Sequence, residues 1–89
     1  MKAVITVTAK DAKGIIAKVS GKVFEFGANI VDISQSVLKE YFAMIMLIEM
    51  ENKDGSFFNL SDSLKTLAKE NNLVIECMHE DIFNSMHRI

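Results

Sequence analysis

Two short segments carry the side chains best suited to binding a small ligand, residues 11–16 (DAKGII) and residues 26–33 (FGANIVDI). Gly14, near the start of a predicted helix, lets a ligand approach backbone N–H groups at the positive end of the helix dipole, where a carboxylate is stabilised. Asn29 offers both a donor and an acceptor for an amino or carboxyl group. Structural roles are also open, with Asp11 as a helix cap, Gly14 as a close-packing residue and Asn29 as a turn residue.

A second group of candidate residues lies near the C-terminus and would suit a metal ion. Cys77 and His79 are two residues apart, so they share one face of a predicted strand, and Glu80 follows them. A C-terminal tail that folds back would add His87 and complete a set suited to zinc or nickel. The alternative is that Cys77 is a small buried residue and that both histidines lie at the surface. We favour this alternative and expect neither a metal nor another cofactor.

The sequence shows no recognisable catalytic arrangement. No spacing of serine, histidine and aspartate indicates a triad, and Cys77 would need a histidine brought close by the fold to become an activated thiolate. The single cysteine also excludes an intramolecular disulfide and a Cys-x-x-Cys site, which favours the cytoplasm. We therefore expect a cytoplasmic protein that is not an enzyme.

Length and composition define the class of protein. With 89 residues, 49% of them hydrophobic and 25% charged, the chain is expected to form one domain over residues 1–89, with a core at 2–80 and a short tail at 81–89. The net charge is −2 and the lysines are scattered, which argues against a nucleic-acid partner. The longest apolar run, residues 41–48, is far shorter than the roughly 20 residues of a membrane span. A domain this small buries a limited share of its surface, so self-association is expected.

Hydrophobic periodicity predicts strands and helices in the order βαββαβ. The predicted strands cover residues 2–9, 29–38, 41–50 and 73–80, and the predicted helices cover residues 13–26 and 57–71. A single helical turn over residues 81–86 is expected to follow. This order is that of the ferredoxin-like α+β fold, a four-stranded antiparallel sheet with strand order 4-1-3-2 and two helices on one face.

The third predicted strand is apolar on both of its faces. One face carries Phe42, Met44, Met46, Ile48 and Met50, and the other carries Tyr41, Ala43, Ile45 and Leu47. Two helices cover only one face of such a sheet, and an open apolar face on a small protein promotes aggregation. Either the tail residues Ile82, Phe83 and Met86 or a second subunit would cover it, and both arrangements are compatible. We expect a homodimer.

The two segments described first resemble the signature of the ACT domain, in which Asp-x-x-Gly-Ile-Ile precedes a helix and Gly-Ala-Asn-Ile-Val-Asp-Ile follows it. The resemblance covers residues 2–80, and the tail at 81–89 is similar to that of small stand-alone ACT proteins of bacteria and archaea. It implies the βαββαβ fold. It also implies a regulatory, ligand-sensing module that binds a small amino acid or related carboxylate, commonly at a homodimer interface.

The same resemblance assigns residues to a ligand site. The loop before the first helix would contribute Lys10, Asp11, Gly14 and Ile15, and the start of the second strand would contribute Asn29 and Ile30. Because we expect a single domain, we also expect occupancy of the site to be signalled to a separate protein. A ligand-free interaction subunit that docks onto a partner is the alternative, and a metal-binding protein is a further one.

Overall fold

The computed structural model describes residues 1–10, 13–51 and 53–86, apart from the side chain of Leu38. Its elements are β1 (Lys2–Ala9), α1 (Ile15–Glu25), β2 (Asn29–Leu38), β3 (Tyr41–Glu49), α2 (Ser56–Asn71), β4 (Val74–His79) and α3 (Glu80–Met86). The predicted βαββαβ order is confirmed, and β1 and β2 have the predicted boundaries. The helix α2 has 16 residues, and none of the helices in the described ranges is long and apolar enough to cross a membrane.

The strands form one antiparallel sheet in the order β2-β3-β1-β4, which is the predicted order. At its centre, Ile5 of β1 is opposite Met46 of β3 on one side and Cys77 of β4 on the other. A bulge at Val31 interrupts the pairing of β2 with β3 and adds one residue to β2. Within the described part of the chain, β2 is hydrogen-bonded to β3 alone and is therefore an edge strand.

The hydrophobic core lies between the sheet and the helices α1 and α2. Each helix buries residues four apart, because that spacing returns to the same face of a helix. They are Ile15, Val19 and Val23 of α1 and Leu60 and Leu64 of α2. The sheet contributes Ala3, Ile5 and Val7 of β1 and Phe42, Met44, Met46 and Ile48 of β3. The even-numbered face of β3 is therefore the buried one, and its odd-numbered face points away from both helices.

The C-terminal tail forms a helix of seven residues, α3, where the sequence predicted a single turn. This helix contacts β1 and β4 of its own sheet. Val4 is only 3% exposed although it points away from α1 and α2, and α3 contacts the two strands on which Val4 and its partner Met78 lie. On β3, Tyr41 and Ile45 remain 48% and 45% exposed. The tail therefore lies beside Val4 on part of the β1–β4 half of the outer face, while Val74 of β4 and this part of β3 stay open.

Candidate functional site

The structure places the candidate ligand-binding residues at opposite ends of the sheet. Lys10 directly follows β1, and Gly14 directly precedes α1. Asn29 begins β2 and lies opposite Glu49, which is also opposite Lys2 at the start of β1. At about 3.3 Å per residue, the length of β1 separates the two groups by roughly 23 Å. One chain alone does not bring them together.

At the first end, Gly14 occupies the residue position that precedes α1 and has a φ of 74°, in the left-handed region that favours glycine. Among the described residues other than its chain neighbours, no atom lies within 4 Å of the position that a Cβ would take there, which argues against the close-packing alternative for Gly14. The residue is exposed, and as a glycine it supplies no side-chain cap to the helix start. Asp11 lies outside the described residues.

Two further predicted residues flank this end. Ile15 is 3% exposed and belongs to the core, so its side chain is directed inward. Lys10 is exposed and lies on a small hollow of about 230 Å³ with Thr8, Tyr41 and Val74. Of the predicted site residues described at this end, Lys10 and Gly14 are exposed and Ile15 is buried.

At the second end, Gly27 turns the chain out of α1. Its φ of 75° confirms the predicted left-handed conformation. The Gly27 N–H donates to the Phe24 carbonyl at 2.9 Å, and the Ala28 N–H donates to the Val23 carbonyl at 3.1 Å. After this turn the chain enters β2 at Asn29, whose side chain is exposed.

A cleft of about 580 Å³ adjoins Asn29. Its lining consists of Met1, Phe26, Gly27, Asn29, Glu49, Met50, Glu51, Lys53 and Ser56. Volumes of this size are typical of small-molecule sites. Sequence reasoning missed Glu49, Glu51, Lys53 and Ser56 as site residues. The predicted sheet order could have identified them, because antiparallel pairing of β2 with β3 places the end of β3 and the residues after it beside Asn29.

Hydrogen bonds hold the walls of the cleft in place. The Met1 amino group donates to the Met50 carbonyl at 2.8 Å, and the Met50 N–H donates to the Met1 carbonyl at 2.9 Å. The Ser56 hydroxyl donates to the Glu51 carbonyl at 2.7 Å and accepts from the Lys53 N–H at 3.2 Å. The Lys53 Nζ is 3.2 Å from Glu51 Oε2, but both side chains are 79% exposed, so this ion pair contributes little stability.

The residues proposed from sequence for a metal site do not form a cluster in the described part of the chain. No group of three or more potential metal ligands is found among the described residues, and His87 lies outside them. The His79 Nδ1 accepts from the Asp81 N–H at 3.1 Å. Burial raises the pKa of the Cys77 thiol from 9.0 to about 11. The thiol is therefore protonated at neutral pH and is a weak nucleophile.

The free edge of β2 is the other exposed feature near Asn29. This strand of ten residues carries a single charged side chain, Asp32. On its helix-facing side, Ile30 and Val37 are 39% and 69% exposed. Phe24 of α1 is 84% exposed. Long edge strands normally carry charges or prolines that prevent pairing, and β2 has little of this protection.

The amino-acid sequence matches a known family model and is similar over its whole length to proteins of other organisms. The family model for the ACT domain matches residues 2–78. A UPF0237 protein of Clostridium perfringens is 48% identical over 89 residues and spans the whole of both chains. A UPF0237 protein of Methanopyrus kandleri is 40% identical over 88 residues, which are 99% of this chain and 98% of that one.

Solved structures show the same architecture. An ACT domain protein from Streptococcus pneumoniae superposes with a TM-score of 0.81 at 43% identity, covering 93% of each chain. The ACT domain from the GTP pyrophosphokinase of Chlorobium tepidum has a TM-score of 0.64 at 23% identity, covering 88% of this chain and 97% of that one. A formyltetrahydrofolate deformylase from Burkholderia mallei has a TM-score of 0.76 at 12% identity, and the match covers 89% of this chain but 28% of that enzyme. At 23% and 12% identity, the similarities to the pyrophosphokinase domain and to the deformylase show a shared fold and no more.

Proposed function

Because the chain belongs to the ACT-domain family, we propose that it is a regulatory module that binds a small amino acid or related carboxylate at a homodimer interface and signals to a separate protein. ACT domains are generally regulatory ligand-binding modules, and this supports the proposal. One observation carries it furthest. The two groups of candidate site residues lie at opposite ends of a sheet whose edge strand is free to pair.

A two-fold axis beside the middle of β2 and perpendicular to the sheet would place a second β2 next to the first, antiparallel to it. The start of one β2 then lies beside the end of the other. Leu38 at that end is opposite Tyr41, in the part of the sheet where Ala9 of β1 leads into Lys10. Asn29 of one protomer thereby approaches the end of the sheet that carries Gly14 of the partner subunit. Such a dimer has two equivalent sites, each built from both protomers.

Apolar side chains along the β2 edge support this arrangement. Ile30 and Val37 are exposed on the helix side of the edge, and a second copy would cover them. Phe24 is exposed on α1, the helix that contacts β2. On the opposite side, Ser34 and Ser36 accompany Asp32 and remain compatible with solvent. Pairing of the two edges would also satisfy backbone groups that one protomer leaves open.

In a site of this kind, the ligand carboxylate would lie at the start of α1, where the helix dipole is positive. The Asn29 carboxamide would donate to it or accept from an amino group. Binding would order two protomers at once, so occupancy changes the dimer, and a separate protein reads that change. Cys77 is a free thiol, which agrees with a reducing, cytoplasmic location.

A ligand-free interaction subunit is the second candidate, and the outer sheet face favours it. Tyr41, Ile45 and Val74 are about half exposed on that face and are not covered by α3. A partner protein with an apolar surface would cover them. This candidate needs no occupant in the Asn29 cleft.

A thermal-unfolding screen of the full chain against the twenty amino acids and common 2-oxo acids, with light scattering to measure mass, tests the proposal. A ligand present at 100 times its dissociation constant adds about 2.7 kcal/mol to the free energy of unfolding. For a chain of this size, that raises the Tm by about 10 °C or more. A dimer without any ligand-dependent shift would favour the interaction subunit, and a monomer without a shift would contradict the proposed site.

A further inference from the structure

An uncharged, largely apolar surface lies open on the outer face of the sheet, at the end away from α3. Tyr41, Ala43 and Ile45 of β3 are exposed there, as are Thr8 of β1 and Val74 of β4. Thr8 is directly opposite both Ala43 and Val74, so the five side chains form one continuous surface. We call this surface the open patch. An apolar surface of this kind marks a site of interaction.

The helix α3 presents an apolar stripe of its own. Ile82 and Met86 are four residues apart, which places them on one face of the helix, and they are 54% and 64% exposed. The helix directly follows His79 at the end of β4, and Val74 begins that strand about 17 Å away. Val74 remains 59% exposed, so α3 does not cover it within one chain.

A second copy of the chain matches both surfaces at once. Consider a two-fold axis that lies over the outer face, parallel to the sheet and across its strands, at the level of Thr6 and Ile45. It turns the outer faces of two copies toward each other and brings the level of Val4 in one copy over the level of Thr8 in the other. Because α3 lies beside Val4, the α3 of each copy then lies over the open patch of the other.

The dimensions of the two surfaces agree. Residues 41–45 span about 13 Å along β3, and the three neighbouring strands β3, β1 and β4 span about 10 Å across. A helix of seven residues is about 10 Å long and, with its side chains, about 10 Å wide. One α3 therefore fits on one open patch, and the two copies of α3 share a single layer between the sheets.

This contact is compatible with the proposed pairing of β2 edges. The axis of that pairing is perpendicular to the sheet beside the middle of β2, where Ser34 is opposite Ile45. The two axes therefore meet at right angles, which gives a closed assembly of four copies. Near their crossing, β2 presents Asp32, Ser34 and Ser36 on the outer side. These polar side chains suit a water-filled gap between the two sheets.

We infer that α3 of each copy docks on the open patch of a second copy, so that two β2-edge dimers associate face to face into a tetramer. The inference rests on the proposed function for the edge dimer and adds a second interface to it. One patch and one helix face cover less than the about 800 Å² per partner of a standard interface. A single pair of faces is therefore weak, whereas the tetramer joins two such pairs and gains from both.

Sedimentation velocity of the full chain across a range of concentrations tests the inference. The unchanged protein should form tetramers that dilute into dimers. Val74→Lys on the open patch and Ile82→Lys on α3 should each weaken tetramer formation at least ten-fold and leave the dimer, because either change puts an ammonium group into an apolar contact. Phe58→Lys is the matched control. Phe58 is 71% exposed on α2, on the other side of the sheet, so its variant should remain tetrameric.

A charge pair tests whether α3 and the open patch meet between copies. Val74→Lys combined with Ile82→Glu in one chain should restore the tetramer, because opposite charges then face each other across the contact. Thermal unfolding shows whether each variant is folded. A folded double variant that does not recover the tetramer, or single variants that associate as the unchanged protein does, would overturn the inference.

The oligomeric state of the unchanged protein separates this inference from the proposed function. A protein that stays dimeric at every concentration would overturn the inference and leave the open patch to a different protein, while the proposed function stands. A protein that is monomeric at every concentration would overturn both the inference and the proposed homodimer.

Discussion

Asn29 and Glu49 lie directly opposite each other on β2 and β3, and both side chains are exposed at the mouth of the same cleft. Asn29 belongs to the sequence motif at residues 26–33, whereas Glu49 is its neighbour only because β2 pairs with β3. This pairing also anchors Asn29 at the end of the sheet away from Gly14. Assembly of the motif into one site therefore depends on a second protomer.

Replacing Gly27 by alanine should lower the free energy of unfolding by about 1 kcal/mol, because a Cβ is disfavoured at a φ of 75°. Gly21→Ala is the matched control. Gly21 lies inside α1, and an added Cβ would meet no atom of the described part of the chain within 4 Å, apart from its chain neighbours and the backbone of its own helix. This second change should raise stability by roughly 0.5–1 kcal/mol through helix propensity. Denaturant unfolding of both variants measures the difference, and equal effects would contradict the assignment.

Val37→Lys should weaken dimerisation at least ten-fold, because it adds a charge to the exposed β2 edge. Val74→Lys serves as the control, since Val74 is similarly exposed, at 59%, on the opposite edge strand. Sedimentation velocity across a range of concentrations compares the two. If the Val74 variant dissociates into monomers while the Val37 variant remains dimeric, the dimer interface is not formed by β2.

Removing residues 81–89 should expose Val4, which α3 covers on the outer face. Burial of a valine side chain is worth about 1.5–3 kcal/mol, so the truncated chain should lose stability of that order and bind more of an apolar dye. Ile82→Ser is a milder control because Ile82 is 54% exposed. Dye binding that stays the same after truncation would show that α3 does not protect this surface.

The raised pKa of Cys77 makes stability depend on pH in the alkaline range. An unfolded chain releases the thiol proton above its ordinary pKa of 9.0, whereas the folded chain keeps it up to about 11. Stability contributed by the neutral thiol is therefore present below pH 9 and falls as pH rises from 9 to 11. Cys77→Ala should lack this part of the decline. Urea unfolding at pH 8 and 10.5 measures it, and equal declines in both proteins would contradict the buried thiol.

Much of the fold follows from periodicity, because both helices and the buried face of β3 have regular spacing. Val4 shows a limit of that reasoning. It is an apolar residue on the outer face of β1, and its burial agrees with the contacts of α3 with β1 and β4, which the period of β1 does not predict. The single turn predicted for the tail was too short, since a short segment gives little periodicity to read.

The candidate site was less predictable than the fold. Gly14 and Asn29 stand out locally by residue type, but their separation depends on the direction of β1 and β2 in the sheet. Glu49 belongs to the cleft only through long-range register, and Lys53 only through the turn that leads to α2. Neither Glu49 nor Lys53 lies in a sequence motif that marks it as a site residue. Their position beside Asn29 follows only from the pairing of the strands.

The most direct test of the account mixes two inactive variants. Asn29→Ala and Gly14→Val should each abolish ligand-dependent stabilisation in their own homodimers. If every site takes Asn29 from one protomer and Gly14 from the other, a mixed dimer contains one doubly altered site and one intact site. Calorimetric titration of the mixed dimer with an amino acid that binds the unchanged protein should then recover about one site per dimer. Failure to recover any binding in a confirmed mixed dimer would contradict a site shared between protomers.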